Sequence, residues 1–510
     1  MNITYLVDRL ADVSPEAPAM LSDTAPPVPW AAFRDRVARL AGALRDQGVE
    51  AGDRVALLCR NRAEFLEVVL GCAWIGAIVV PLNYRLASAE IAFQLEDSGA
   101  GLLFVEDACA DIAAGANPDL KHIAIGAPDS PYEDLIARAA PLAEAADLPG
   151  DHTLGIFYTG GTTGVPKGVM LTHQNLLSNA SHVVRYQGYT PADVHLHAAP
   201  MFHLADLGGT FGHLFGGGAH VFLPQFTPAG FFAAMARHGG TTVLLAPTMV
   251  DRLTREPPDP SLDLSAWRQL CYGGSPITEA TLRRAFDLLP CSLLQGFGQT
   301  EATQTVCIMS SEDHRRALDE PRLLRTCGRP VAGIHARIVD EDLNPLPAGE
   351  VGEVVIRGPT VMKGYWNRPE ETQAALRGGW LHMGDLGSRD AEGFITLVDR
   401  KKDVIVSGGE NVFSPEVENA LAAHPDVVEC AVIAVPDERW GERVHAVVVL
   451  AEGSAADRAA LEAHCRTLIG GYKVPRSFDF LDALPKTAYG KIQKSALRDR
   501  YWTGVGRGVA

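Results

Sequence analysis

The sequence predicts an α/β fold in which a large N-terminal domain is followed by a small α+β domain. Helix-like and strand-like hydrophobic patterns alternate over residues 30–150, and the alternation resumes over residues 221–245. Such alternation is typical of a largely parallel sheet covered by helices. The charged segment Asp399–Asp403 then precedes a compact pattern of about 100 residues, a usual length for a small domain. We therefore expect domains at residues 1–399 and 400–510.

The hydrophobic period assigns the elements of the large domain in chain order. The predicted helices are Trp30–Gln47, Arg62–Trp74 and Phe231–His238, and the predicted strands are Val55–Leu58, Ala77–Val80, Leu102–Val105, Leu154–Tyr158, Val169–Leu171, Val221–Leu223, Thr242–Leu245 and Ser292–Leu294. Residues 108–150 are rich in alanine and proline and carry little pattern, so no element is predicted there. Residues 330–393 read as short strands and tight turns.

The small domain shows helices and strands in a different order. Ser414 and Pro415 are suited to the N-cap and first turn of a helix that continues to Ala423. The other predicted elements are strands at Val427–Val435, Val444–Leu450 and Ser477–Leu481 and a helix at Ala455–Leu468. This order predicts an α+β domain.

Composition excludes several classes of function. A formal net charge of -17 disfavours binding to nucleic acid or to an anionic membrane. Nine cysteines without a CxxC pair or a cysteine spacing typical of zinc indicate reduced thiols. The first residues lack the basic region of a signal peptide, and the longest apolar run, Val68–Leu82, is too short for a membrane span. We expect a cytoplasmic protein with no membrane span.

The segment Tyr158–Gly168, which reads YTGGTTGVPKG, has the composition of a phosphate-binding loop. Its glycines allow close approach of a ligand, and successive backbone N–H groups form a concavity that suits phosphate. The apolar runs on either side predict the order strand, loop, strand. A flexible surface loop is the alternative interpretation. The candidate phosphate-binding residues are Thr159, Gly160, Gly161, Thr162, Thr163, Gly164 and Lys167.

This segment differs from the common nucleotide P-loop. In that motif a Ser or Thr follows the lysine and ligates magnesium, whereas Gly168 follows Lys167 here. A magnesium ligand must therefore come from elsewhere in the chain. Glu301, in the segment Gln295–Glu301 after a predicted strand, is the candidate, because Mg²⁺ prefers carboxylate and phosphate oxygens. A solvated glutamate in an ordinary turn is the alternative.

These segments, with three others, resemble the motifs of the adenylate-forming superfamily, which includes acyl-CoA synthetases, luciferases and peptide-synthetase adenylation domains. The other three are YGGSP at 272–276, WLHMGDL at 380–386 and PKTAYGK at 485–491. The match is to the acyl-CoA synthetase branch, and it extends from about residue 30 to Lys491 in the family's order. The family often has serine where Gly160 stands. The resemblance implies a large domain of several stacked sheets, a small mobile C-terminal domain, and a site between them.

The resemblance also implies roles for individual residues in ATP binding. Thr300 and Glu301 would contact the α-phosphate and the metal, and Asp385 and Arg400 would contact the ribose. Lys491 would bond the reacting carboxylate and the α-phosphate, where a cation stabilises developing charge. The remaining residues implied for the adenine and acyl walls are Gly273, Gly274, Ser275, Gln295, Gly296, Phe297 and Gly298.

The second half-reaction, in which coenzyme A (CoA) attacks, is implied for other residues. Gly408 and Gly409, together with Ser407, would line the path of the CoA pantetheine, and Lys402 would lie near the hinge of the small domain. His203 would gate the acid pocket toward CoA. By themselves, a lone histidine or a charged linker is more often structural.

We expect an ATP- and Mg²⁺-dependent ligase that joins a carboxylic acid to CoA through an acyl-adenylate. The candidate acid pocket, roughly residues 203–218, 271–276 and 297–307, contains many glycines, one acid at Asp206 and no arginine. This favours an apolar fatty or aryl monoacid over a dicarboxylate or an amino acid. Three alternatives stay open: an adenylation enzyme that loads a carrier protein, a luciferase-like oxygenase, and a non-enzymatic nucleotide-binding regulator. Assembly as a homo-oligomer also stays open.

Overall fold

The chain forms two compact units in a computed structural model that describes residues 1–159, 165–275, 277–486 and 492–502. The larger unit comprises Met1–His335 and Ile356–Leu381, and the smaller unit comprises Ala336–Val355 and His382–Ala510. Residues 382–399 thus belong to the smaller unit. The domain boundary expected between residues 399 and 400 stays a prediction.

The helices and strands are numbered in chain order. The α-helices are α1 (Tyr5–Val13), α2 (Trp30–Asp46), α3 (Ala63–Ile75), α4 (Ser88–Ser98), α5 (Ala110–Ala116), α6 (Pro131–Arg138), α7 (His173–Gln187), α8 (Leu204–Gly216), α9 (Pro228–His238), α10 (Pro247–Arg255), α11 (Glu279–Leu288), α12 (Ser311–Arg316), α13 (Pro369–Ala375), α14 (Ser414–Ala422), α15 (Arg458–Leu468) and α16 (Lys494–Arg498). The strands are β1 (Pro18–Leu21), β2 (Val28–Pro29), β3 (Arg54–Leu58), β4 (Ile78–Pro81), β5 (Leu102–Glu106), β6 (His122–Ile125), β7 (Thr153–Thr159), β8 (Lys167–Thr172), β9 (Val194–His197), β10 (Ala219–Phe222), β11 (Thr242–Leu245), β12 (Gln269–Gly273), β13 (Ser292–Phe297), β14 (Cys307–Met309), β15 (Arg329–Pro330), β16 (His335–Val339), β17 (Gly352–Arg357), β18 (Gly364–Tyr365), β19 (Leu381–Arg389), β20 (Ile395–Arg400), β21 (Ile405–Ser407), β22 (Glu410–Val412), β23 (Val427–Asp437), β24 (Gly441–Leu450) and β25 (Ser477–Phe480).

The larger unit contains two sheets. The nine-stranded sheet has the order β15-β14-β13-β12-β11-β9-β10-β1-β2, and its central strands are parallel. The seven-stranded sheet has the order β18-β8-β7-β4-β3-β5-β6, in which β7 and β8 form an antiparallel pair beside parallel neighbours. Parallel strands need crossover helices, and these helices cover both faces of each sheet.

A layer of helices lies between the two sheets. Helix α2 contacts β1 of the nine-stranded sheet, α3 contacts β3 and β4 of the seven-stranded sheet, and the two helices contact each other. Helices α7 and α8 repeat this arrangement through β8 and β11. Helix α3 is apolar on all sides, and every residue from Phe65 to Ile75 is buried, as a helix enclosed between two layers requires.

The smaller unit has its own apolar core. Its five-stranded sheet contains β22, β21, β24 and β23 in that order, with β25 parallel to β24. Helices α14 and α15 pack Val417, Leu421 and Leu461 against this sheet. The four-stranded sheet β16-β17-β19-β20 lies almost entirely in this unit.

Two local predictions are wrong. Ser414 is not the N-cap of α14: the cap position is Phe413, and the buried Ser414 hydroxyl instead contacts Asp399 Oδ1 at 3.2 Å and Lys494 Nζ at 2.5 Å. Residues 108–150 do form elements, namely α5, β6 and α6. These elements are short, and tertiary packing stabilises them where the local pattern is weak. None of the helices in the described parts of the chain is long and apolar enough to cross a membrane.

Candidate functional site

The phosphate loop predicted from the sequence joins an antiparallel pair, which we call the phosphate hairpin (β7, β8 and the turn between them). Thr159 pairs with Lys167 at the open end of the pair, which confirms the order strand, loop, strand. Gly160, Gly161, Thr162, Thr163 and Gly164 lie outside the described residues. The hairpin is extended by β18, in which Tyr365 pairs with Val169 of β8.

Tyr365 connects the phosphate hairpin to the candidate metal ligand. Its hydroxyl donates to Glu301 Oε1 at 3.0 Å. Lys167 Nζ lies 5.1 Å from the centre of the same ring, within the range of a cation–π contact. Burial, with the adjacent carboxylate of Glu301, raises the pKa of Tyr365 well above its usual value, so the hydroxyl stays a donor. Lys167 and Glu301 are thereby brought to the two sides of one tyrosine.

Glu301 lies in a strained turn, residues 298–304, which we call the Thr-Glu loop. Thr300 and Glu301 belong to a 3₁₀ turn, and the next residues, Thr303 and Gln304, have φ of 52° and 84°. Left-handed conformations of residues other than glycine are costly and are found mostly at functional sites. The Thr303 hydroxyl donates to the Thr360 carbonyl at 2.6 Å, which holds the loop in place.

The glycines around this loop have different structural reasons. A Cβ on Gly298 would lie 1.8 Å from the Gln304 carbonyl oxygen, so the turn itself requires glycine. A Cβ on Gly273 would lie 2.2 Å from the carbonyl oxygen of Gly296, its partner across β12 and β13. At Gly296 the nearest atom is the Cys271 sulfur at 4.0 Å, so only this glycine faces open space.

The remaining residues of the adenine and acyl walls lie at the ends of the same two strands. Gln295 and Phe297 are the partly buried last residues of β13, and Gly274, with φ of 83°, follows β12 and precedes Ser275. Parallel β12 and β13 therefore bring Gly273–Ser275 and Gln295–Gly298 to one edge of the nine-stranded sheet.

Helix α8, which follows His203, contacts the Thr-Glu loop through Gln304. The Gln304 amide donates to the Ala205 carbonyl at 2.6 Å and accepts from Asn179 at 2.9 Å. A Cβ on Gly208 would lie 2.5 Å from the Gln304 side-chain oxygen, so glycine lets the helix approach the loop. His203 stacks at 4.3 Å on Phe202, and burial lowers the pKa of His203 to about 3, which keeps it neutral.

Asp206 was counted among the residues of the acid pocket, but it lies in the interior. It is fully buried, and its Oδ2 lies 2.7 Å from His197 Nδ1. The carboxylate is thus engaged by a histidine of β9.

The predicted ribose residues pair with each other in the smaller unit. Asp385 and Arg400 are opposite one another on β19 and β20, and Arg400 Nε donates to Asp385 Oδ1 at 2.7 Å. Asp385 is buried, whereas Arg400 is half-exposed.

The predicted CoA residues of the smaller unit surround Trp440. The Gly408 amide donates to the Trp440 carbonyl at 2.8 Å, and a Cβ on Gly408 would lie 2.6 Å from the indole ring. Arg476 lies 4.3 Å from the centre of this ring and donates to the Ser407 hydroxyl at 2.9 Å. Gly409, with φ of 86°, faces open space. Lys402 is partly buried, which lowers its pKa, and Lys491 lies outside the described residues.

Comparison with known proteins agrees with this geometry. The family model described as AMP-binding enzyme matches residues 7–366, and that described as AMP-binding enzyme C-terminal domain matches residues 416–491. The chain belongs to the AMP-binding enzyme family. The ligase is thus a member of the adenylate-forming superfamily, and the α/β fold with a large multi-sheet N-terminal domain is confirmed.

Individual relatives span nearly the whole ligase. A feruloyl-CoA synthase from an Amycolatopsis species is 40% identical over 97% of this chain and 98% of its own length. A fatty acid–[acyl-carrier-protein] ligase from Streptomyces coeruleorubidus is 34% identical over 92% of this chain and 91% of its own. The structure of o-succinylbenzoate CoA synthetase from Bacillus subtilis with its acyl-adenylate intermediate has a TM-score of 0.87 at 31% identity, over 97% of this chain and 98% of that one. The prediction of an AMP-forming acid–thiol ligase is confirmed.

Several residues of the candidate site were missed by the sequence analysis. Tyr365, Gln304 and Trp440 lie outside the quoted motifs, and each acts through a contact with a residue distant in sequence. Only Tyr365 had a local signal, the Gly-Tyr-Trp turn at 364–366. Gln304 and Trp440 had none.

Proposed function

We propose that the ligase converts an apolar monocarboxylic acid to its CoA thioester, and that aryl acids of the cinnamic type are preferred. A carboxylate oxygen attacks the α-phosphorus of ATP, and the bond to pyrophosphate breaks. The CoA thiol then attacks the acyl carbon, and AMP leaves. The observation that carries this proposal is Tyr365, which holds Glu301 by its hydroxyl while Lys167 lies over its ring.

Glu301 is the residue proposed to hold Mg²⁺. One of its oxygens accepts from Tyr365, and no donor among the described residues reaches the other. A carboxylate that is oriented by one hydrogen bond and otherwise available suits a hard cation. When bound, Mg²⁺ neutralises charge on the phosphate oxygens.

The chain's own cations and hydroxyls have complementary proposed roles. Lys167, at the open end of the phosphate hairpin, would pair with a phosphate oxygen. Thr300, next to Glu301 in the 3₁₀ turn, would donate to the α-phosphate. Lys491 would stabilise the negative charge that develops there, as the family's motif implies. Asp385 would accept from the ribose, with Arg400 orienting its carboxylate.

The acid class is inferred from the chemistry of the candidate pocket. Residues 203–218, 271–276 and 297–307 contain no lysine or arginine that could pair with a second carboxylate. The two acids in these ranges are engaged, Asp206 by His197 and Glu301 by Tyr365. His203 is neutral, and aromatic rings of Phe202 and Tyr84 lie edge to face beside it at 5.2 Å. The feruloyl-CoA synthase at 40% identity supports an aryl acid over an aliphatic one.

A panel of acids tests this proposal. Pyrophosphate release and thioester formation would be measured with cinnamic, benzoic, decanoic and malonic acids and an amino acid, each with and without CoA. We expect the highest kcat/KM for a cinnamic acid. A dicarboxylate or an amino acid as the best substrate would contradict the assigned acid class, and absence of pyrophosphate with every acid would contradict adenylation.

The carrier-protein alternative is tested in the same assay. The relative from Streptomyces coeruleorubidus is named for an acyl-carrier-protein acceptor, so the acceptor needs its own measurement. Thioester formation with free CoA is the expected outcome. If only a phosphopantetheinylated carrier protein accepts the acyl group, the alternative is correct. We further propose that the ligase acts in the cytoplasm, which its nine free cysteines support.

A further inference from the structure

Four histidines and one aspartate meet in the interior of the larger unit, where α8 packs against the nine-stranded sheet. We call these residues the histidine cluster. Its members are His195 and His197 of β9, His220 of β10, and Asp206 and His213 of α8. All five side chains are completely buried. Ionisable groups are rarely enclosed in this number unless they bind one another or a ligand.

The secondary structure explains how they meet. His195 and His197 alternate along β9 and so project from one face of the sheet. His220 pairs in register with His195, which places it on that same face. Asp206 and His213 are seven residues apart, two turns of α8, and therefore share one side of the helix.

Hydrogen bonds within the cluster satisfy only part of its polar atoms. His197 is bonded at both nitrogens, to Asp206 Oδ2 at 2.7 Å and to His220 Nδ1 at 2.9 Å. His195 Nδ1 lies 2.9 Å from the Thr242 hydroxyl.

Four polar atoms of the cluster have no hydrogen-bond partner among the described residues. They are Asp206 Oδ1, His195 Nε2, His213 Nδ1 and His220 Nε2. A buried polar atom without a partner loses its hydration for nothing in return, and such atoms are few in folded proteins. Four in one cluster therefore point to a ligand that these atoms would bind.

The spacing of the cluster matches a metal ion. One ligand atom from each of His195, His197 and Asp206 lies within 4.8 Å of the other two. The ring centres of His195 and His197 are 4.7 Å apart, and those of His195 and His213 are 5.3 Å apart. Imidazoles bound to one tetrahedral ion at the usual metal–nitrogen distance have ring centres about 5 Å apart.

We propose that His195, His197 and Asp206 bind a divalent transition-metal ion of the Zn²⁺ class, with His213 Nδ1 available as the fourth ligand. Imidazole with carboxylate suits this class of metal. Metal binding needs neutral imidazole, and burial lowers the pKa of His195 well below its usual value and that of His213 to about 3. With the ion on His197 Nδ1, the Nε2–H of His197 would donate to His220 Nδ1, the outer hydrogen bond that orients a metal-bound histidine.

Such an ion would have a structural role. It would join β9 to α8, whose opposite side receives the Gln304 side chain of the Thr-Glu loop at Ala205 and Gly208. The site is closed to solvent, so the ion would enter during folding. This inference does not depend on the proposed acid or acceptor.

Metal analysis of the whole ligase tests the proposal. Protein without a histidine tag would be produced in media supplemented with Zn²⁺ or with Co²⁺, and its metal content measured after dialysis against a chelator. We expect about one ion per chain, and visible ligand-field absorption from the cobalt form. Protein that folds in both media and retains no ion would overturn the proposal.

Variants separate this site from any other. Asp206→Asn and His195→Gln should each reduce retention at least about 10-fold, as loss of one ligand typically does. His173→Gln removes a buried histidine elsewhere in the unit and should retain the ion. Retention by Asp206→Asn and His195→Gln at the wild-type level would contradict the assignment. If these variants do not fold, X-ray absorption of wild-type protein with Co²⁺ decides: imidazole scattering with nitrogen and oxygen ligands is expected, and sulfur ligands would overturn it.

Discussion

The hydroxyl of Tyr365 donates to Glu301 Oε1 at 3.0 Å, and it does so from a strand that pairs with the phosphate hairpin. A residue outside every recognised motif therefore fixes the orientation of the candidate metal ligand. The contact lies wholly within the larger unit, so it does not depend on the position of the smaller one.

Tyr365→Phe should weaken Mg²⁺ binding while keeping the ring beneath Lys167. Loss of one hydrogen bond to a charged group should lower the rate of adenylation about 10-fold at limiting Mg²⁺. Pyrophosphate release would be measured against Mg²⁺ concentration. Tyr186→Phe is the matched control, because its hydroxyl accepts only from the Ala332 amide. An unchanged Mg²⁺ titration in Tyr365→Phe would remove Tyr365 from the site.

Glu301→Gln should have the larger effect, because it removes the charge that would bind the metal. We expect adenylation to slow at least about 100-fold, equivalent to a few kcal/mol. The dependence on Mg²⁺ should also become weaker. The exposed Glu350→Gln provides the control for loss of one negative charge. Adenylation by Glu301→Gln with the wild-type Mg²⁺ dependence would show that the metal is held elsewhere.

Gly296→Ala and Gly298→Ala should differ sharply although they lie two residues apart. A Cβ on Gly298 would overlap the Gln304 carbonyl, so this variant should be destabilised by several degrees in Tm and lose activity. A Cβ on Gly296 meets only open space, so its Tm should be unchanged. If Gly296 faces the nucleotide, KM for ATP should rise. Thermal melts and ATP kinetics on both variants measure this difference, and equal loss of Tm would contradict it.

Separate half-reactions should distinguish Lys491 from Gly409. Lys491→Ala should abolish adenylation, since the cation opposite the developing charge is lost, but should still convert supplied acyl-adenylate and CoA to thioester. Gly409→Leu should adenylate normally and lose thioester formation, because the new side chain fills the predicted path of the thiol. The same variants would show whether the smaller unit rotates between steps, with Lys402 near the hinge.

Gly409 has φ of 86°, so a leucine there also strains the backbone. Gly453→Leu is the matched control, since Gly453 has φ of 77° and likewise faces open space. Lys402→Pro, which fixes φ at the expected hinge, should spare adenylation and slow thioester formation. If Lys491→Ala slows both half-reactions equally, the account of two alternating arrangements fails.

His173 should contribute to the loss of stability in acid. Its Nδ1 accepts from the Ile3 amide at 3.1 Å, and burial together with nearby His152 lowers its pKa from 6.5 to about 3. Below pH 6.5 the unfolded chain therefore binds a proton that the folded chain refuses. Stability should fall as pH drops from 6.5 toward 3, by about 1.4 kcal/mol per pH unit for this residue.

His173→Gln keeps an acceptor for the Ile3 amide and removes the titrating group. The fall in Tm between pH 7 and pH 5 should be smaller in this variant by a few degrees. Differential scanning calorimetry at the two pH values measures it, with the exposed His122→Gln as the control. An identical fall in the variant would show that His173 does not limit acid stability.

The sequence predicted the elements that have strong periodicity or punctuation. Helix α2, the buried helix α3 that ends at Gly76, and strand β11 lie within two residues of their predicted ends. Glycine at a left-handed C-cap and a continuous apolar run are local signals that tertiary structure does not override. The short elements α5, β6 and α6 had no such signal.

By itself, the sequence determined the family, the α/β class and the motifs that carry ATP chemistry, because those depend on contiguous residue types. Only the tertiary structure decided which distant side chains complete them. Tyr365 reaches Glu301 across 64 positions, and His197 reaches Asp206 and His220 through a sheet and a helix. The sequence placed Asp206 in the acid pocket, whereas helical phase turns it toward β9. The physical reason is that a hydrogen bond depends on which faces of two elements meet, and packing sets that only after the chain has folded.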